Sequence, residues 1–154
     1  MTGAAERLAA LGLALPPVTA PVAAYVPAVR SGAYVYVSGQ LPVTDGKLAA
    51  TGKVGDEVSA EDAAGLARIC ALNALAAAAD AAGGLENIRR IVKVVGFVAS
   101  APGFNGQPQV INGASELLIE VLGEDGRHAR SAVGVAELPL NVPVEVELIA
   151  EARD

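Results

Sequence analysis

The 154-residue sequence contains no tryptophan, one cysteine, one histidine, three tyrosines and two phenylalanines. Cys70 cannot form a disulfide within the chain, and Cys70 with His128 supplies too few ligands for a zinc site. We therefore expect no bound metal, and a single thiol is typical of a reducing compartment. The formal charge of −6 argues against nucleic acid as a partner, because such binding depends on clustered Lys and Arg and on stacked aromatics.

The sequence also lacks the common catalytic motifs. It contains no phosphate-binding Walker loop, no dinucleotide-binding glycine motif, no His-Glu-x-x-His and no Gly-x-Ser-x-Gly. His128 has no identifiable acidic partner for a hydrolytic triad, and we interpret it as a loop residue. Cys70 falls in the apolar arc of a predicted helix, where a thiol is usually an inert small side chain.

The longest uncharged stretch, residues 8–29, is long enough to span a membrane. Four prolines interrupt any helix there: Pro16, Pro17, Pro21 and Pro27. Only residues 6–15 remain as a short amphipathic helix before an extended segment. We therefore predict a cytoplasmic protein without a membrane span, whose residues 1–24 form an N-terminal extension with a short helix and a proline-rich segment.

The pattern of the remaining residues predicts an α+β fold. Together with the N-terminal extension, residues 1–154 are expected to form a single domain. Two helices are expected, one from Ser59 to the Gly83-Gly84 stop and one containing the stripe from Val110 to Leu122. The sequence predicts four strands, Tyr34–Ser38, Ile91–Ala99, Ala129–Glu137 and Val142–Ala150. It also predicts a short hairpin that turns at Asp45-Gly46. Two helices cover one face of such a sheet, and we expect another subunit to cover the other face.

Arg130 is a candidate ligand-binding residue. In a strand it shares a face with three very small residues, Ala132, Gly134 and Ala136, so a recess is expected beside it. The planar guanidinium donates two parallel hydrogen bonds to a carboxylate and stays charged. A structural Arg–Glu ion pair is the alternative, and the residues alone leave both interpretations open.

Glu145 is the second candidate, on the face of its strand that also presents Glu147 and Ile149. A carboxylate on a face covered by a subunit would have a raised pKa and could exchange protons near neutrality. A simple hairpin of the last two strands would leave Arg130 and Glu145 roughly 13 Å apart. Either these strands are not hairpin partners, or the residues meet through a neighbouring subunit, or they do not share a site.

Five segments together resemble the Rid family, also called YjgF-like or RidA-related and formerly labelled endoribonuclease L-PSP. They are Ala24-Tyr25-Val26, Val37-Ser38-Gly39-Gln40-Leu41-Pro42, Val110-Ile111-Asn112-Gly113-Ala114, Arg130-Ser131-Ala132-Val133 with Leu138-Pro139, and Val144-Glu145-Val146-Glu147. The N-terminal extension and the loop from Ser100 to Gln109 indicate a longer-chain branch of that family.

The resemblance implies a chorismate-mutase-like α+β fold: a mixed sheet with two helices on one face, assembled as a homotrimer around a central barrel. It further implies an enzyme that hydrolyses reactive 2-imino acids and their enamine tautomers to 2-keto acids and ammonia, without a cofactor, in clefts between subunits. The last strand of such a sheet inserts between earlier strands.

The resemblance also assigns roles to five residues. Arg130 would bind the substrate carboxylate and Glu145 would handle protons or position the attacking water, while Ser38, Tyr25 and Asn112 would line the pocket. Each has an alternative: Ser38 as the end of a strand, Tyr25 as a packed aromatic, and Asn112 as a solvated helix residue.

Two other functions are weighed against the imine hydrolase. The same cleft would also suit a non-catalytic module that binds small carboxylates or 2-keto acids. An endoribonuclease is disfavoured by the net charge, by the scarcity of aromatics and by the lack of a histidine pair or metal site.

Overall fold

The computed structural model describes residues 2–18 and 23–154, so part of the predicted proline-rich segment, residues 19–22 with Pro21, lies outside the described residues. Three helices are present in the described chain: α1 (Ala4–Ala10), α2 (Ala60–Ala82) and α3 (Gln107–Leu122). The strands are β1 (Ala28–Ser31), β2 (Tyr34–Gln40), β3 (Val43–Thr44), β4 (Lys47–Leu48), β5 (Ile88–Ala99), β6 (Ala129–Val135) and β7 (Val144–Ala152).

Helix α2 begins and ends where its capping residues predict. The Ser59 side chain accepts a hydrogen bond from the Asp62 amide at 3.0 Å, which satisfies one free donor of the first turn. Gly83 adopts the left-handed conformation, φ 85°, that ends a helix at little cost. The alanine-rich arc of α2 is buried, and by length and composition this helix could span a membrane; here it packs in the core against β2, β7 and α3.

Helices α2 and α3 approach each other closely because one of them has a glycine at the crossing. A Cβ atom on Gly113 would collide with the backbone carbonyl of Ala64. The apolar stripe of α3, from Val110 to Leu122, is buried as its spacing predicts. The close crossing fixes the first turns of α3 above the edge of the sheet.

The five long strands form one mixed sheet in the order β1-β2-β7-β5-β6. Strand β7 is antiparallel to both β2 and β5, and β5 is parallel to β6. The last strand therefore inserts between earlier strands, and β6 and β7 are not hairpin partners. The α+β class with a mixed sheet and two helices on one face is confirmed.

The two faces of the sheet differ in what covers them. The helical face buries Val35, Val94, Val144 and their neighbours completely. The opposite face presents Tyr34, Tyr36 and Val133 with exposures of 44%, 49% and 43%. Within the described chain this second face has no covering layer of helices, as the sequence predicts.

Several boundaries differ from the predicted ones. Helix α1 is only seven residues long and ends at Ala10, because Gly12 adopts a positive φ of 72° that a helix cannot continue through. Strand β1 lies where the sequence predicts only extended chain, and it pairs with β2. Strands β5 and β7 shift or lengthen by two or three residues at their ends, where hydrogen bonding to neighbouring strands decides the limits.

Candidate functional site

Arg130 lies on edge strand β6, and its guanidinium reaches helix α3. Nη1 donates hydrogen bonds to Asn112 Oδ1 at 2.7 Å and to Ser115 Oγ at 3.2 Å. Nη2 donates to the carbonyl of Pro108 at 3.3 Å. The structure thus joins two predicted site residues, Arg130 and Asn112, and shows that Asn112 does more than contact solvent.

The charge of Arg130 is not neutralised within the described part of the chain. Its three partners are all uncharged, and the ion pairs found among the described residues involve other cations. Among the described residues no glutamate pairs with Arg130, so the structure shows no Arg–Glu ion pair there. Since Nε has no partner among the described residues and Nη2 has one long bond, the Nε–Nη2 edge is available to an incoming carboxylate.

The small residues beside Arg130 do not leave the empty recess that the sequence predicts. A Cβ atom on Gly134 would lie 2.7 Å from Gln107 Nε2 and 3.0 Å from Ser100 Oγ. The side chain of Gln107 occupies this space and donates to Ser100 Oγ and to the Phe104 carbonyl. The small residues of β6 instead let the start of α3 approach the sheet, which brings Asn112 within reach of Arg130.

A second polar cluster lies at the end of β2. The Ser38 hydroxyl donates to the Val26 carbonyl at 2.7 Å, and the Ser38 amide donates to the Pro27 carbonyl. These bonds fasten the segment containing Tyr25 against β2, so Ser38 does more than end a strand. Tyr25 is 58% exposed, so it is not a packed aromatic within the chain and is available to a ligand or to another subunit.

Glu145 belongs to this second cluster through Gly39. A Cβ atom on Gly39 would lie 2.7 Å from Glu145 Oε2, so only glycine lets the carboxylate rest against β2. Burial raises the pKa of Glu145 above its usual value, and the nearby charge of Glu147 raises it further. The resulting carboxyl group gains a proton more readily than a solvated one, as an acid–base residue requires.

The two clusters lie far apart within one chain. Strand β2 is separated from β6 by β7 and β5, a distance of about 14 Å at the usual strand spacing. Arg130 pairs with Val94 and Glu145 pairs with Phe97 on β5, so the two residues also point to opposite faces. The structure brings Arg130 to Asn112, bonds Ser38 to the segment that contains Tyr25 and places Glu145 against Gly39, but it does not join the first group to the second.

A cavity of about 670 Å³ adjoins the second cluster and has Tyr25 and Gly39 in its wall. The wall is mostly apolar and includes Pro16, Pro17, Leu41, Val43, Ala76 and Leu140. Arg130 does not line it. The N-terminal extension therefore shapes the space beside Tyr25 and Gly39, a contribution that its sequence did not indicate.

The remaining candidates behave differently. Cys70 is fully buried and burial raises the pKa of its thiol well above the usual value, in agreement with an inert core residue. No group of three possible metal ligands occurs among the residues that the structure describes.

Ser115 was missed because a helix serine has no distinguishing pattern; the one available signal was its position three residues after Asn112, on the same helix side.

Comparison with known proteins places these features in a family. The model described as "YjgF/chorismate mutase-like, putative endoribonuclease" matches residues 5–152. Protein TCP17 of Trypanosoma cruzi is 44% identical over 97% of this chain and 94% of its own length. The structure of Atu1372 from Agrobacterium tumefaciens, a protein of unknown function, is 51% identical, covers 97% of this chain and 92% of its own, and superimposes with a TM-score of 0.90.

Two further structures extend the comparison. A Shewanella oneidensis protein, described by the same endoribonuclease term, is 35% identical over 97% of this chain and 99% of its own, with a TM-score of 0.93. E. coli TdcF with bound serine is 27% identical over 89% of this chain and 94% of its own, with a TM-score of 0.64.

The fold and the family match define an α+β protein of the chorismate-mutase-like type. The chain belongs to the YjgF family, as its sequence motifs predict.

Proposed function

We propose that this protein hydrolyses 2-imino acids and their enamine tautomers to 2-keto acids and ammonia, in clefts between the subunits of a homotrimer. The observation that supports this most directly is the un-neutralised guanidinium of Arg130, held by three neutral partners. A half-buried positive charge without an anionic partner is costly. A ligand carboxylate on the Nε–Nη2 edge removes that cost with two charge-assisted hydrogen bonds.

Glu145 supplies the acid–base chemistry of the proposal. Water adds to the imine carbon while Glu145 carries one water proton to the imine nitrogen, which gives a carbinolamine. Glu145 then accepts the hydroxyl proton and donates it to the nitrogen as the C–N bond breaks and the C=O bond forms, so that one imine and one water give one keto acid and one ammonia. The raised pKa of Glu145 favours its protonated form relative to a solvated carboxylate, which assists proton donation to the nitrogen. No cofactor takes part in these steps.

The proposed homotrimer would bring the two clusters together across a subunit boundary. Arg130 with Asn112 of one subunit would face Glu145, Ser38 and Tyr25 of its neighbour. The exposed aromatic and aliphatic side chains on the uncovered sheet face, among them Tyr34 and Val133, provide the apolar surface for such contacts. The bound serine in E. coli TdcF, an amino acid with a carboxylate, supports a ligand of this class. The cytoplasmic location remains a prediction from the sequence.

Turnover tests the proposal. We expect the protein to accelerate keto-acid and ammonia release from 2-iminobutyrate generated enzymatically in the assay, and Arg130→Ala to abolish the acceleration. Arg68→Ala is the matched control, because Arg68 forms an ion pair with Glu120 at 2.7 Å on the helix surface and should tolerate replacement.

Two results would reject the hydrolase. Binding of 2-keto acids through Arg130 without any acceleration would show a non-catalytic binding module. Cleavage of RNA by the purified protein that survives Arg130→Ala would show a nuclease that uses other residues.

A further inference from the structure

A chain of hydrogen bonds connects Arg130 to the turn that precedes β6. His128 Nδ1 lies 2.6 Å from the Gly126 carbonyl, and His128 Nε2 lies 2.9 Å from Ser115 Oγ. Ser115 Oγ in turn accepts the bond from Arg130 Nη1 at 3.2 Å. His128 is the only histidine of the sequence, and the proposed reaction assigns it and Ser115 no role.

Chemistry fixes which group donates and which accepts at both ends of this series of hydrogen bonds. A carbonyl oxygen can only accept, so His128 Nδ1 must donate to Gly126; a guanidinium can only donate, so Ser115 Oγ must accept from Arg130. The neutral imidazole then accepts at Nε2, and the Ser115 hydroxyl proton points to it. Consequently the Ser115 lone pairs are directed toward Arg130.

The surroundings of His128 favour its neutral form. A hollow of about 500 Å³ on its far side is lined by Tyr34 of β2, Arg90 of β5, Arg127 and Glu151 of β7. Arg127 there forms an ion pair with Glu124, and Glu151 forms one with Arg89. Arg130, on the other side of His128, has no ion pair among the described residues. Burial lowers the pKa of His128, the charge of Arg130 lowers it further, and the bond to Gly126 opposes both.

We propose that Ser115 and His128 are a positioning pair, which locks the Arg130 guanidinium in the orientation that presents its Nε–Nη2 edge to a ligand carboxylate. Ser115 and Asn112 together engage both protons of Nη1. Nη1 is thereby withheld from the ligand, and rotation of the guanidinium would break both bonds. This inference rests on the proposed carboxylate site and adds the residues that set its geometry.

Calorimetry with 2-oxobutyrate tests the role of Ser115. Ser115→Ala should raise Kd about tenfold or more, the scale of one hydrogen bond to a charged group, and raise KM more than it lowers kcat. In an Arg130→Lys background the same change should have little effect, since Lys lacks the fork that Ser115 orients. Glu116→Gln, an exposed change at the next position of α3, is the control and should leave Kd unchanged.

NMR of the single imidazole provides an independent measurement that needs no turnover. Arg130→Gln should raise the pKa of His128, because it removes the repelling charge, and saturation with 2-oxobutyrate should also raise it, because the ligand neutralises Arg130. Glu116→Gln by itself should leave the pKa of His128 unchanged, and the shift on saturation with 2-oxobutyrate should persist in that variant. A His128 titration that the ligand leaves unchanged would mean that the ligand does not neutralise Arg130, and the proposed carboxylate contact would be wrong.

The outcomes separate the two proposals. If the unmodified protein binds no 2-oxobutyrate, the carboxylate site itself is wrong and the positioning role falls with it. If binding occurs but Ser115→Ala leaves Kd unchanged, or has the same effect in the Arg130→Lys background, only the positioning role is wrong. Both proposals are supported if 2-oxobutyrate shifts the titration of His128 and if Ser115→Ala lowers the affinity for 2-oxobutyrate only when Arg130 is present.

Discussion

Arg130 and Glu145 point to opposite faces of the same five-stranded sheet. Arg130 pairs with Val94 of β5 and Glu145 pairs with Phe97, an odd number of residues further along that strand. One chain therefore cannot direct both side chains at one small ligand. If they act on the same substrate, they must come from two chains, and the predictions below follow from that geometry.

Replacing Arg130 by lysine should weaken the binding of 2-oxobutyrate by about 1 to 3 kcal/mol. Lysine keeps the positive charge but loses the two parallel donors of the guanidinium and its bonds to Asn112 and Ser115. Isothermal titration calorimetry measures the change. Unaltered affinity would mean that charge alone, and not the fork, recognises the ligand.

Replacing Glu145 by glutamine should separate binding from turnover. It removes a negative charge near an anionic ligand, so affinity should hold or increase. Single-turnover hydrolysis should fall roughly 100-fold or more, as for a lost proton-transfer group. If this variant instead loses affinity while turnover stays intact, Glu145 has a structural role and the proposed mechanism is wrong.

The same substitution predicts a pH effect on stability. Because folding raises the pKa of Glu145, protonation of this carboxyl group stabilises the folded state relative to the unfolded state. That stabilisation is lost as the pH rises through the raised pKa. Glu145→Gln should therefore increase the free energy of unfolding relative to the unmodified protein at neutral pH. The gain should shrink toward acid pH in urea titrations, and a gain independent of pH would contradict the assignment.

Gly39 should be intolerant of a side chain for a local reason. In Gly39→Ala the new Cβ would lie 2.7 Å from Glu145 Oε2, so the carboxylate must move and turnover should fall while the fold persists. Gly65→Ala is the matched control, because nothing lies within 4 Å of its Cβ position in α2 and alanine favours helices. Circular dichroism and the imine assay compare the two variants. Full activity of Gly39→Ala would show that the close contact is unimportant.

The uncovered face of the sheet predicts an oligomer. Sedimentation equilibrium should give about three times the chain mass of 15.4 kDa, because exposed Tyr34, Tyr36 and Val133 need a partner surface. Charge placed on this face, as in Val133→Asp, should dissociate the assembly. A stable monomer of the unmodified protein would contradict both the assembly and the shared site.

The sequence predicts the local elements well because their signals are local. Ser59 and Gly83 mark the ends of α2, and the apolar run of β5 marks a central strand. The strand order was not available from these patterns, since pairing of β7 with both β2 and β5 depends on contacts distant in sequence. The prediction that β6 and β7 need not pair rests on the distance of roughly 13 Å that a hairpin would leave between Arg130 and Glu145.

The site was predicted less completely. Arg130 stands out by its small neighbours, and the family motifs point to Asn112, Ser38, Tyr25 and Glu145. The expected recess is wrong because Gln107 fills the space above Gly134, which no pattern in β6 could show. Ser115 and His128 were overlooked as partners of Arg130, because their alignment arises only when α3 packs beside β6.

Complementation between two inactive variants tests the central claim most directly. Arg130→Ala and Glu145→Gln chains, carrying different affinity tags, would be co-expressed and assayed for imine hydrolysis. With Arg130 and Glu145 contributed by neighbouring chains, about a quarter of the sites in a randomly mixed ring contain both intact residues. Activity should therefore recover to about a quarter of the unmodified level, although each variant alone is inactive. If the mixed assemblies form and show no recovery, the two residues do not act across a subunit boundary.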